Sequence, residues 1–262
     1  MAEALLPRVQ AALHRYRMIA PGDRVAVGVS GGKDSVALLA NMVHPLSAEK
    51  EIEFYLNESE SVTAITLDPG FEGRWGDYSA VESLCEARGI PYRLRRTHIY
   101  DAVFRDRHEK NPCSLCARLR RGALHQAAQE AGCGVVALGH HQDDVAETFL
   151  MNLLGGGRLG CFSPKTELDR RGLTLIRPLI FLEEREIAAY VRKEGLPVVK
   201  SRCPADGHTR REDMKALLRE LSGRYGPLEP RIIGAMQKAG LDGWGDGPDE
   251  TECGAERPGA GF

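Results

Sequence analysis

Two rhythms of apolar residues alternate along the chain. Arg24-Val25-Ala26-Val27-Gly28-Val29 is a short β-branched run of the kind a buried strand needs. It ends in Ser30-Gly31-Gly32-Lys33-Asp34-Ser35, after which Val36 to Val43 sets apolar residues among helix formers. Val62 to Leu67 repeats the strand pattern and stops at Asp68-Pro69-Gly70, a helix-like stretch covers Asp77 to Arg88, and Pro91 to Arg96 reads as a third strand. Ala117 to Ala131 predicts a helix broken by Gly132, followed by a strand at Gly134 to Leu138 and the turn Gly139-His140-His141. Asp144 to Leu154 is the clearest amphipathic helix, with Val145, Phe149 and Leu153 four residues apart and Asp144-x-x-Glu147 in the form of a capping box. A strand at Leu173 to Arg177 and a helix at Glu183 to Lys193 complete the alternation, and helices near Arg211 to Leu221 and Pro230 to Ala239 follow.

Parallel strands need crossover connections, so this order predicts an α/β fold: a doubly wound, mainly parallel sheet with helices on both faces and a short helical C-terminal extension. The expected division is a helical lead-in over 1–23, a main domain over 24–200, the extension over 201–244 and an acidic, Gly-rich, flexible tail over 245–262. Ligands of such sheets bind beyond the carboxyl ends of the strands. The turns after Val29, Leu67 and Leu138 therefore belong to one edge.

Composition narrows the class. A chain of 262 residues suits one large domain or one with an appendage. No apolar run nears the roughly 20 residues that a bilayer crossing needs, and the N-terminal residues lack the unbroken apolar core and cleavage site of a secretory signal; a cytoplasmic protein without a membrane partner is expected. Thirty-five Lys+Arg against 37 Asp+Glu leave a net charge of -2, which argues against indiscriminate coating of nucleic acid. The near-neutral total conceals a basic middle: Arg88 to His125 holds ten basic and three acidic residues, or +7. Such a stretch is either a solvated face or a surface for a polyanion.

Ser30 to Ser35 offers consecutive backbone N–H groups, two glycines that admit a phosphate, and a helix N-terminus whose partial charge favours anions. It differs from the common mononucleotide P-loop, because no Gly stands at the required upstream position and Lys33 is followed by Asp34. Seven cysteines, an odd number without an export signal, argue against a disulfide framework. Cys85, Cys133 and Cys161 sit singly among apolar or Gly-rich neighbours and read as buried small hydrophobes, and Cys253 falls in the tail. Cys113 and Cys116 form a Cys-x-x-Cys and Cys203 stands alone. On residue chemistry these three fit structural zinc completed by a His, a redox dithiol, or a four-iron cluster with one iron open to exogenous sulfur.

Ser30-Gly31-Gly32-Lys33-Asp34-Ser35 resembles the PP-loop of the N-type ATP pyrophosphatases, which adenylate a substrate oxygen and release pyrophosphate. Gly139-His140-His141-Gln142-Asp143-Asp144-Val145-Ala146-Glu147-Thr148 resembles the second signature of their tRNA-modifying branch, shared by tRNA-Ile lysidine synthetases and tRNA-2-thiocytidine synthetases. The segment Pro112-Cys113-Ser114-Leu115-Cys116-Ala117-Arg118-Leu119-Arg120-Arg121-Gly122 is similar to the cysteine segment of the tRNA-2-thiocytidine synthetase (TtcA) family. So are Leu153-Leu154-Gly155-Gly156, Ile176-Arg177-Pro178-Leu179 and Pro197-Val198-Val199 ahead of Cys203. The likeness runs from about Val25 to about Trp244.

This resemblance implies the adenine nucleotide alpha hydrolase-like (HUP) form of the fold, ATP and Mg2+ as cofactors, and a 4Fe-4S cluster on Cys113, Cys116 and Cys203. It implies nucleotide contacts at Ser30, Gly31, Gly32, Lys33, Asp34, Ser35, Asp68, Gly139 and His140, with catalytic roles for Lys33, Asp34, Ser35, His140, Asp143 and Asp144. The implied partners are tRNA and a cysteine desulfurase or other persulfide donor, with a homodimer open. The implied reaction is ATP-dependent replacement of oxygen by sulfur at C2 of an anticodon-loop cytidine. Arg118, Arg120 and Arg121 would adjoin the arriving loop. A lysidine synthetase-like enzyme, a PP-loop thiolase of another substrate and a non-enzymatic iron-sulfur or nucleotide sensor are the alternatives.

Overall fold

The structure is a computed structural model that describes residues 5–42, 61–105, 112–203 and 210–245. The tail beyond Gly245 with its Cys253, the end of the predicted helix at Val43, and Asp106, Arg107, Glu109 and Lys110 of the basic stretch lie outside the described residues.

Strands β1 (Val25–Gly28), β2 (Val62–Asp68), β3 (Tyr92–Arg96), β4 (Val135–Ala137), β5 (Lys165–Leu168) and β6 (Leu173–Ile176) form one sheet in the order β3-β2-β1-β4-β6-β5. All neighbours are parallel except β5, which runs antiparallel to β6 at the edge. The helices are α1 (Leu6–Arg15), α2 (Lys33–Met42), α3 (Ser79–Ala87), α4 (Pro112–Glu130), α5 (Gln142–Gly156), α6 (Glu184–Lys193), α7 (Arg210–Tyr225) and α8 (Glu229–Lys238). None among the described residues is long and apolar enough to cross a membrane.

The two-residue period of the strands explains the layering. Val25, Val27, Ala64, Val135 and Ala137 pack on one face with residues of α1, α2, α6 and α8 and with the fully buried Trp244 beyond α8. Ala26, Ile65, Leu67 and Val136 face the other way, onto Leu124, Ala127 and Ala128 of α4. Central strand β1 pairs with β2 on one side and β4 on the other, so chain connections leave it in opposite directions and open a crevice at its carboxyl end.

Most boundaries agree with the sequence to within two residues, and three differ in ways that matter. Helix α4 starts at Pro112, not Ala117, which puts Cys113 and Cys116 in its first turn; proline needs no N–H there. Helix α5 starts at Gln142, and the Asp144 carboxylate accepts the His141 N–H at 3.1 Å, so the cap lies three residues before the predicted Asp144-x-x-Glu147 box. Strand β5 was not expected. The basic stretch is also not one surface element: Arg88 follows α3 and donates to the Ala40 carbonyl, Arg93, Arg95 and Arg96 lie on β3, and Arg118, Arg120 and Arg121 ride on α4.

Candidate nucleotide and cysteine site

The loop after β1 is held from within. Ser35 Oγ donates to the Gly32 carbonyl at 2.9 Å and accepts the Ser30 N–H at 3.1 Å, while Ser30 Oγ lies 3.2 Å from it and accepts the Gly32 N–H at 3.3 Å. Both hydroxyls thus shape the loop as well as edging its cavity. Gly31 has φ +84°, and a Cβ there would lie 2.8 Å from Val199 Cβ, whose backbone N–H bonds the Gly31 carbonyl. Glycine is needed on both counts. Lys33 Nζ sits 3.1 Å from Asp34 and 3.0 Å from Glu184. Burial pulls its pKa down, but the two carboxylates more than offset this, so Lys33 remains charged.

Beside this loop is a cavity of about 380 Å3 lined by Ser30, Gly32, Asp34 and Ser35, by Gly139 and His140 from the turn after β4, and by Arg120, Arg121 and His125 of α4. That volume is within the usual range for a small-molecule site. Gly139 allows the approach of the two turns: a Cβ would stand 3.0 Å from the Asp34 backbone.

The two histidines differ. His140 lies against Phe162 in a tilted contact with ring centroids 4.8 Å apart, Phe162 also receives the Arg177 guanidinium, and burial pushes the His140 pKa down to about 4. It is neutral at pH 7. Burial also opposes charge on His141, yet Asp143 at 3.4 Å, Asp144 at 3.4 Å and Asp34 at 3.8 Å raise its pKa on balance. His141 therefore balances three carboxylates around the PP-loop helix. Asp34 Oδ1 is buried without a hydrogen-bond partner among the described residues.

Of the residues the sequence singled out, Ser30, Gly32, Asp34, Ser35, Gly139 and His140 line one cavity. Asp68 is occupied elsewhere: it is buried, and its oxygens accept the Gly70 and Gly76 N–H groups at 3.0 and 2.7 Å, fixing the loop after β2. Asp143 accepts the Glu184 N–H at 2.8 Å and so anchors α6, with burial opposing and His141 favouring its charged form. Asp144 takes an Arg211 guanidinium at 2.6 Å; the same arginine reaches Glu147 at 3.4 Å and Thr148 at 3.3 Å. Lys215 holds Glu184 at 2.6 Å. Glu184, Arg211 and Lys215 escape the sequence reading, whereas His141 is weighed there beside His140. His141 carried a signal, lying inside the second signature, but the others meet it only through contacts distant in sequence.

Cys113 is exposed, Cys116 buried and Cys203 half-buried. Burial raises the Cys116 pKa, Arg120 one turn away lowers it, and Cys203 and Cys113 raise it further. The three thiols thus share one neighbourhood. Arg202 fixes the arriving segment by donating to the Trp75 carbonyl at 3.0 Å. Among the described residues no three His, Cys, Asp or Glu side chains already stand as a metal site. Three cysteines that sense one another's charge fit a thiolate-held iron-sulfur group in chemistry; closing around it requires the side chains to move. Cys85 and Cys133 are buried as expected, whereas Cys161 is half-buried, bonded to the Val145 carbonyl at 3.5 Å, with its pKa pushed up to about 12 by burial.

A PP-loop domain family matches residues 5–220. The tRNA-cytidine(32) 2-sulfurtransferase of Pelobacter propionicus is 40% identical over 227 residues, covering 86% of this chain and 80% of the relative. The chain belongs to this PP-loop family. The enzyme of the same name from Anaeromyxobacter sp. is 34% identical over 97% of this chain and 87% of its own. Among solved structures, the U34-tRNA thiolase NcsA from Methanococcus maripaludis with its 4Fe-4S cluster superposes with a TM-score of 0.70 at 23% identity, covering 90% of this chain and 78% of that one. At that identity the likeness establishes the PP-loop fold. Within the family frame, α4 joins the two halves of the site: Cys113 and Cys116 lie in its first turn, and Arg120 and Arg121 face the nucleotide cavity one turn on.

Proposed function

We propose that this protein is an ATP-dependent tRNA sulfurtransferase that converts a cytidine of the anticodon loop, position 32 as in its relatives' name, to 2-thiocytidine. The observation that carries this reading is that α4 lines the PP-loop cavity and also bears Cys113 and Cys116, with Cys203 close enough to act on Cys116.

In the first step the C2 oxygen of cytidine attacks the α-phosphorus of ATP and pyrophosphate leaves; in the second, the terminal sulfur of a persulfide attacks C2 and AMP leaves with the oxygen, and a thiol reductant supplies the two electrons that split the remaining S–S bond and leave the sulfur on C2. The loop N–H groups not taken by Ser30 and Ser35, with the N-terminus of α2, receive the pyrophosphate, stabilising charge as it develops on the leaving group. Lys33 adds positive charge, freed from Asp34 and Glu184 by a more negative partner. Asp34, whose Oδ1 accepts no hydrogen bond among the described residues, is a protein oxygen available to Mg2+ bound to that pyrophosphate. His140, uncharged at pH 7, edges the cavity where the cytidine must meet the α-phosphate. Cys113, Cys116 and Cys203 are the residues that would hold a 4Fe-4S cluster, which when bound supplies a place for sulfur from a persulfide donor such as a cysteine desulfurase. Arg118, Arg120 and Arg121 neutralise tRNA phosphates beside it.

The test is mass spectrometry of tRNA nucleosides from a strain lacking this protein and from the same strain complemented. Loss and restoration of 2-thiocytidine is expected. Loss of lysidine instead, or no change, would overturn the reading.

A further inference from the structure

Strand β5, which the sequence concealed, forms a hairpin with β6 whose turn carries Asp169, Arg170 and Arg171 toward α4. Gln129 Nε2 on α4 donates to the Arg171 carbonyl at 2.8 Å, and Leu168 packs with Ala123 and Leu138 on the core, so the turn is docked on the helix. Between them is a cavity of about 390 Å3 whose walls include Arg118, Arg121, Arg170 and Arg171. Asp169 is the only acidic residue in its lining, and among the described residues no carboxylate ion-pairs with any of the four arginines.

Two further observations mark the cavity as incomplete without an anion. His125, buried, lines both this cavity and the nucleotide cavity, and its Nε2 has no hydrogen-bond partner. Burial, Arg171 and Arg121 together lower its pKa, so like charges crowd the site with Asp169 the one carboxylate in its lining. A second cavity, of about 730 Å3, continues from the first past Arg118 and Arg171 to Arg95 and Thr97 at the β3 edge. Neither lining contains Phe, Tyr or Trp for a base to stack on.

We infer that the cleft between α4 and the β5–β6 turn is a phosphodiester-binding track, and that Arg170 and Arg171 grip the RNA backbone leading out of the nucleotide cavity. The inference rests on the tRNA reading above and adds a site that reading does not contain. ATP already has the PP-loop for its phosphates, and a track that leads away from that loop across α4 suits a polymer. Adjoining arginines on two rigid elements match successive phosphates and read no sequence.

The experiment measures binding of an unmodified anticodon stem-loop RNA across a salt series to the full chain and to the exposed double variant R170A/R171A. Two lost phosphate contacts should weaken binding about tenfold or more near 0.1 M salt and make the salt slope shallower by about 1.4, at roughly 0.7 per single-strand phosphate. The variant R170K/R171K should recover most of the slope, and ATP affinity should be unchanged in both. Equal affinity and slope in parent and R170A/R171A would overturn the track while leaving the tRNA reading intact. So would inorganic pyrophosphate competing at this cleft when RNA binding is unaffected, since the cleft would then hold the product. Failure of the parent itself to bind RNA would overturn the tRNA reading, and the track with it.

Discussion

Glu147 lies inside the second signature yet faces away from the nucleotide cavity, buried on α5 beside Asp144. Burial first, then Asp144, raise its pKa to about 7, with Arg211 opposing. The folded state therefore keeps a proton that the unfolded chain releases near pH 4.5. Stability from this group is present in full below pH 4.5 and is lost as pH rises through 7. Glu147→Gln should flatten that dependence: between pH 5 and pH 8 the variant should gain about 1–3 kcal/mol on the parent in urea unfolding, and parallel curves would refute the assignment. Glycines act at the same scale. Gly139→Ala would push a Cβ against the Asp34 backbone at 3.0 Å, so ATP affinity should fall about tenfold or more while the cysteines are untouched, read by nucleotide titration and iron content. Single residues were legible where chemistry is local, as at Ser30 to Ser35. Asp68 was not, because its partners Gly70 and Gly76 form a loop whose shape no local pattern encodes.

Helices and strands were legible where burial is strong. Val25, Ala26 and Val27 of β1 and Val62–Asp68 are buried on both faces and read as short β-branched, largely apolar runs. Lys165–Leu168 is an edge strand with three half-buried residues and one exposed, so Lys-Thr-Glu-Leu offers no such run and only pairing with β6 defines it. The cysteine-bearing start of α4 is not legible as helix, because the apolar periodicity begins only at Ala117. Helix α7 was expected as a mere extension, but Arg211 clamps Asp144, Glu147 and Thr148, and Lys215 reaches Glu184, which in turn holds Lys33. Arg211→Ala leaves two largely buried carboxylates without their cation and should cost about 1–3 kcal/mol of stability. ATP affinity should weaken with it, since Asp144 also caps α5 at His141. Arg211→Lys should restore part of the stability but not the bidentate contact. Unchanged unfolding and ATP binding in Arg211→Ala would make α7 a passenger.

At the scale of the whole molecule the sheet edge carries two candidate sites that α4 connects, and this arrangement predicts that they separate on mutation. Asp34 stands at the N-terminus of α2 by the PP-loop, while Cys113 is exposed in the first turn of α4, so neither substitution should unfold the chain. Asp34→Ala should leave iron content intact and cut tRNA-dependent pyrophosphate release by roughly 30-fold to several hundred-fold, the effect of losing about 2–4 kcal/mol of leaving-group stabilisation. Cys113→Ala should do the reverse, losing iron and 2-thiocytidine formation while pyrophosphate release persists. Arg120 is the element through which the halves could communicate, because it lines the nucleotide cavity and also lowers the Cys116 pKa. Arg120→Ala should therefore be the one substitution of the three that harms both readouts, weakening pyrophosphate release directly and iron retention through a less acidic Cys116. If folded Cys113→Ala loses pyrophosphate release as completely as Asp34→Ala, the two halves are not separable, and the cysteine end of α4 must take part in positioning the cytidine for its first step.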